Sequence, residues 1–234
     1  VTATVRAITT AKPNSVGSFN VTKPTGTAQG DLLLAFHSMD QGTLAQMGTP
    51  TGGATWLSLG TRNSGTGYDM KTKLWWKIAG ASEPANYGFT ENSTGTGCVA
   101  IVAIMGADTT VTPVVAQAGS DAGFEVTVAT PSSTPTGSDD LELRWAAGNP
   151  DFEAVTWTAP ATYTKQADLQ GNNTTACLAT KQLTSSAATG VQNFTASVGV
   201  GNRHGFTVDV ASLPDQPPRP PVIVSQAVNR SSRW

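Results

Sequence analysis

The stretch Lys73-Leu-Trp-Trp-Lys-Ile78 alternates with the period of a β-strand, placing Leu74, Trp76 and Ile78 on one face and Lys71, Lys73, Trp75 and Lys77 on the other. Ala79-Gly-Ala-Ser-Glu-Pro84 turns the chain, and Tyr87-Gly-Phe-Thr90 begins the next strand. Trp76 is expected in the core. Trp75 shares its face with three lysines and is expected to be partly exposed, stacked on their aliphatic stems or on a partner. Lys73, Trp75 and Lys77 are therefore a candidate ligand or partner face.

The rest of the chain follows the same grammar. Val1 to Thr9 alternates weakly, and Ser18–Thr22 reads as a strand. Leu32–Phe36 and Cys98–Met105 are apolar on both faces, as strands covered on both sides are. Trp56–Leu59 is a short strand, and Asn63–Gly67 reads as a hairpin turn. A Pro-containing crossing leads to Phe124–Val128, which alternates, as does Asp140–Trp145 with Leu141, Leu143 and Trp145 inward. Strands are expected at Tyr163–Leu169, Cys177–Leu183, Val191–Val198 and Phe206–Val210, the last with Phe206, Val208 and Val210 inward. Helical periodicity is absent. The fold class is all-β: a jelly-roll-like antiparallel β-sandwich with pseudo-repeated halves and an extended C-terminal arm.

The halves, about 1–115 and 116–213, lie over one another. Lys23-Pro-Thr-Gly matches Thr134-Pro-Thr-Gly, Leu33 matches Leu141, and Trp56 matches Trp157. Lys77 matches Lys181, Phe89 matches Phe194, and Val102 matches Val208. Residues 1–213 are read as one sandwich built from both halves, with two small domains as the alternative.

Composition sharpens this picture. Only 13% of residues are charged, against about 25% in ordinary globular chains. A net charge of −2 provides no basic stripe for nucleic acid. No apolar run approaches the roughly 20 residues that cross a bilayer, so no membrane insertion is expected. Cys98 and Cys177 lie in apolar strands; two buried thiols or one disulfide both fit.

Candidate chemistry is sparse. Asp140, Glu142 and Arg144 share a strand face that reads as solvated exterior rather than as the carboxylate pair of a glycosidase. His37 reads as a hydrogen-bonded structural histidine and His204 as a turn residue. Asp121, Asp151 and Asp168 lack the alternating acidic spacing of a calcium loop. No nucleophile elbow, zinc motif or phosphate loop is present. No catalytic residue, metal ligand or cofactor is assigned, and the chain is read as a non-enzyme.

After Leu213 the composition changes. Pro214 to Pro221 suits polyproline II, and Val222-Ile-Val-Ser-Gln-Ala-Val228 is a strong β-former. Asn229 to Trp234 adds a basic patch. A frayed tail is the ordinary expectation here, but a stiff spacer carrying such a strand suits docking on this body or another chain. Val222, Ile223, Val224, Arg230, Arg233 and Trp234 are the candidate docking residues.

Lys23-Pro-Thr-Gly-Thr-Ala-Gln-Gly-Asp-Leu-Leu-Leu-Ala-Phe36, Thr55-Trp56, Lys77 to Pro84, Tyr87-Gly-Phe-Thr90 and Ala100 to Ala107 together resemble a β-sandwich module of tail-associated and other virion proteins of actinobacterial phages, found also in some secreted bacterial proteins. The resemblance spans mainly residues 20–110, with an echo to about 210. It implies structural roles for the Gly-Asp turn, the core Trp and the Ser-Glu-Pro turn, and it implies no catalytic residue. The expectation it carries is a virion structural protein of the minor tail type, partnered by other virion proteins and by copies of itself. A capsid decoration or head-fibre protein is a close variant. A secreted extracellular carbohydrate-binding module, or a displayed sandwich that meets a host-surface glycan, would use Trp75 or Tyr163 as a stacking platform.

Overall fold

The computed structural model describes residues 1–14, 17–40, 46–64, 70–91, 95–120 and 123–214. The first half holds β1 (Thr4–Ala11), β2 (Ser18–Thr22), β3 (Leu32–Met39), β4 (Leu57–Asn63), β5 (Lys71–Ile78), β6 (Asn86–Thr90) and β7 (Gly97–Met105). The second holds β8 (Val114–Ser120), β9 (Glu125–Thr130), β10 (Leu141–Asn149), β11 (Trp157–Thr158), β12 (Thr164–Gln170), β13 (Thr175–Gln182) and β14 (Gln192–Val210). Every pairing between them is antiparallel. The protein is an all-β sandwich.

Each half supplies one main sheet, and the two sheets have the same strand order. The first runs β1-β7-β3-β5-β4 and the second β8-β14-β10-β13-β12. Registers agree as well: Leu33 lies opposite Lys77 as Glu142 lies opposite Lys181, and Leu34 opposite Val102 as Leu143 opposite Val208. Even a bulge recurs, between Ser58 and Gly60 in β4 and between Lys165 and Ala167 in β12. By this register Leu141 corresponds to Leu32, one residue from the match made on sequence; the Lys77–Lys181 and Val102–Val208 correspondences hold.

The layers stack four deep. The main sheets bury Leu34, Phe36, Leu74 and Val102 against Leu143, Trp145, Leu178 and Phe206, the largest of three cores among the described residues. Phe36 and Trp145 stack there at 5.4 Å. A covering layer of β2 and β6 closes a second core over Trp56, Trp75, Tyr87 and Phe89. A third core, over Trp157, Tyr163 and Phe194, lies under β9, β11 and the start of β14. Strands apolar on both faces, such as β3 and β7, are apolar because both of their faces are covered.

A polar thread crosses the central core. The Trp145 indole donates to Ser38 Oγ (2.9 Å), Ser38 Oγ lies 2.7 Å from Thr72 Oγ1, and Thr72 Oγ1 lies 2.9 Å from His204 Nδ1. His204 Nε2 then meets Ser64 Oγ at 3.0 Å, and Ser64 donates to the Met70 carbonyl. Because Ser64 spends its proton on Met70, it must accept from His204 Nε2–H. Nδ1 then accepts from Thr72, and Thr72 accepts from Ser38. One neutral tautomer satisfies every member. Burial, with Arg62 and Lys71 nearby, pushes the His204 pKa down to about 3, which keeps the ring neutral.

The structure corrects several expectations. β8 occupies the stretch read as a crossing. The two strands expected at Val191–Val198 and Phe206–Val210 are one strand of 19 residues, β14, which leaves the covering layer and enters the main sheet. Its glycines permit this: Gly205 has no room for a Cβ beside the Ala129 carbonyl. His204 therefore sits inside a strand, not in a turn. Phe124 and Val126 are exposed, and only Val128 of that alternating set is buried.

The two ends of the sandwich differ. At one pole the Val1 nitrogen donates to the Leu213 carbonyl (3.0 Å), Ala3 N–H to Ser212 Oγ, and Ser212 N–H to Asp140. The opposite pole carries the connections around Asp40, Thr96, residues 149–156 and residues 171–174, tied by Asn173 Nδ2 donating to Asp40 (2.9 Å).

Candidate functional site

The face expected to be open is closed. Trp75 is 2% exposed, packed edge-on to Phe89 at 6.2 Å in the second core. Lys73 donates to the Met47 carbonyl (2.7 Å), and its burial lowers its pKa. Lys77, 2% exposed, bonds Glu83 (2.6 Å) and the Gly52 carbonyl (3.0 Å) and lies 4.6 Å from the centre of the Tyr87 ring. Burial alone would raise the Glu83 carboxyl, but bonds from Lys77, Gly80 N–H and Tyr87 outweigh it and hold the group below its ordinary value. Trp76, expected in the core, packs against the central core at its rim and is partly buried. Lys73, Trp75 and Lys77 thus carry the covering layer of the first half, and Lys77, Glu83, Trp56 and Tyr87 explain physically why the Lys-Ile-Ala-Gly-Ala-Ser-Glu-Pro turn takes its form.

The equivalent face of the second half is also covered, but it buries charge as well as an apolar core. Asp140, Glu142 and Arg144, expected on a solvated face, are at most 2% exposed, and Asp209 beside them is 1% exposed. Arg144 is paired with Glu142 and spreads its remaining donors over the Thr130, Pro131 and Gly190 carbonyls and the Thr130 and Thr189 hydroxyls, at 2.8–3.0 Å. Tyr163, 9% exposed, donates to Glu142 (2.6 Å), and burial above all pushes its own pKa up. It lies between Arg144 and Lys181, with their charges 5.3 and 5.5 Å from its ring centre. Asp209 faces Glu142 across the strand pair, and Ser133 beside it favours the ionised form less than burial opposes it. Burial pushes its pKa up to about 6. Asp140 caps the turn before β10, accepting from Thr136 and Gly137 N–H.

Other sequence candidates resolve similarly. His37 bonds Glu91 at 2.6 Å within a cage of Phe19, Phe89 and Trp75. Asp168 pairs with Lys165 (2.7 Å), and Asp121 lies outside the described residues. No group of three metal-ligating side chains occurs among the described residues. Cys98 and Cys177 are buried free thiols, each pushed up to about 12 by burial. Val222, Ile223, Val224, Arg230, Arg233 and Trp234 lie outside the described residues.

Two surface features went unread in the sequence. Phe152, 63% exposed, follows Asp151 with both in the left-handed region (φ 68° and 51°), pinned by bonds to Asn173 and Asn149. A cleft of about 380 Å³ opens between β1 and β12, bordered by Thr4, Val5, Leu141, Thr164, Gln166 and Lys181. The cleft lies beside the residues from which the arm departs.

No family model, no curated protein and no solved structure matches the chain.

Proposed function

We propose that the chain is a virion structural protein of the minor tail type, a displayed β-body held to the particle through residues 214–234. One observation supports this reading above the others. Val1 and Leu213 are bonded at one pole, so the arm departs there, while the long connections lie at the other. A body attached at the first pole presents the second outward. The residues of the phage-module resemblance agree with a structural role, since Trp56, Lys77, Glu83 and Tyr87 assemble the first covering layer. The partners are neighbouring virion proteins. A glycan platform at Trp75 or Tyr163 has lost its support, since both rings are covered.

The test is a chain truncated after Leu213 and compared with the full chain for incorporation into purified particles. All three cores lie within residues 3–210, so the body should retain its circular dichroism and melting profile. The expected result is a folded body absent from particles. A truncated body retained at the full level would overturn the anchoring role, and absence of the full chain from particles would overturn the virion reading.

A further inference from the structure

The stacked main sheets meet along two sides, and the repeat makes these sides equivalent. On one, β4 lies against β8. There Leu59 and Trp76 pack on the central core, and a Cβ on Gly60 would come within 3.4 Å of Phe206 and Val115. That side is shut. On the other, β1 lies near β12, and the register puts Thr180 where Trp76 stands, Gln166 where the bulged Leu59 stands, and Thr164 where Leu57 stands. Thr180 and Gln166 in place of Trp76 and Leu59 leave the cleft of about 380 Å³, which reaches inward to Val5 and Leu141. Among the described residues β1 pairs only with β7 and β12 only with β13. Each therefore turns a row of backbone N–H and C=O groups outward beside the cleft.

We propose that this cleft seats residues 222–228 of a second copy of the chain, added as a strand along the β1–β12 opening. The inference rests on the reading of residues 214–234 as an anchor and names its seat. Val222 to Val228 is an uncharged β-former of seven residues, the length of β12. Strand addition draws affinity from backbone pairing, which suits a polar-walled opening, while alternate valines point toward Val5 and Leu141. Chain geometry selects the second copy. The cleft begins at Thr4, beside Ala3, which is bonded to Ser212. Prolines occupy five of the eight positions from Pro214 to Pro221. Eight residues in the polyproline conformation that this composition favours would span on the order of 25 Å. Reaching back would require the spacer to reverse, which prolines resist. The same length carries the strand to a neighbour.

Full-length chains test this. A Val5→Cys chain is mixed with a Val224→Cys chain under mild oxidation, the native thiols being buried. The expected product is a disulfide-linked pair of chains, with none when Phe152→Cys at the far pole replaces Val5→Cys. In sedimentation the full chain should self-associate, and Val224→Asp should weaken that at least about tenfold. A full chain monomeric at roughly 100 μM, or a cross-link formed only within one chain carrying both cysteines, overturns the proposal. If self-association is absent while truncation after Leu213 still removes the protein from particles, this inference fails and the virion reading stands.

Discussion

The covered outer faces of the two main sheets solve one problem in two ways. At matching register positions the first sheet presents Leu33, Ala35 and Ala103 to its covering layer, and the second presents Glu142, Arg144 and Asp209. The first layer is held mainly by aromatic packing, with the buried pairs Lys77–Glu83 and His37–Glu91 set among the rings. The second combines the core over Trp157, Tyr163 and Phe194 with one buried guanidinium that reaches the segments near Thr130 and Thr189. One backbone frame accepts either set, provided that a buried charge is given partners on several segments. Where it is not, as at Asp209, the mismatch is stored as a raised pKa.

The contrast is broken most severely at Arg144. Arg144→Ala strips Glu142 of its partner and leaves the loop carbonyls without donors, and should cost about 3–5 kcal/mol in urea unfolding. Adding Glu142→Leu, which installs the residue type of the first half, should recover a good part of that loss. Lys77→Met should cost less, about 2–3 kcal/mol, because Glu83 keeps its bonds from Gly80 and Tyr87. A loss equal to that of Arg144→Ala would remove the distinction between the halves.

Asp209 sharpens the comparison in the opposite direction. Its folded pKa, about 6, lies above the ordinary 3.8, so the folded state binds this proton more tightly than the unfolded chain does. The site therefore favours folding progressively as pH falls from about 6 toward 4 and opposes it at neutrality. Asp209→Asn should stabilise the protein by about 2 kcal/mol at pH 7 and flatten the pH dependence in that window. Denaturation midpoints at pH 4, 5, 6 and 7 measure both effects, and unchanged or lower stability at pH 7 counts against the assignment.

The all-β architecture and its repeat were legible because alternation assigns residues to faces: Leu141, Leu143, Trp145, Phe206 and Val208 all point into the central core as read. Alternation does not say whether the opposite face is covered. Lys73, Trp75 and Lys77, like Glu142 and Arg144, carry groups that ordinarily mark solvent, and a four-layer stack buries them. Their partners are reached through turns and distant segments: Lys77 finds Glu83 six residues on, and Arg144 finds Thr189 forty-five residues on. The open β1–β12 side was unreadable for a related reason, since Thr180 announces a vacancy only when set against Trp76 in register. His204, within Asn202-Arg-His-Gly205, carried the composition of a turn while its ring completed the thread between the halves.

That thread is where the account of two repeats joined as one body is most exposed. The decisive measurement is the nitrogen-15 spectrum of the His204 ring, assigned against a His204→Gln variant and followed from pH 7.5 to about 4.5. The structure predicts a neutral ring with its proton on Nε2, unchanged across that range, because burial beside Arg62 and Lys71 pushes its pKa down to about 3. A proton on Nδ1, or a titration near the ordinary histidine value of about 6.5, would contradict the directed thread from Trp145 to Met70 and the joining of the halves built on it.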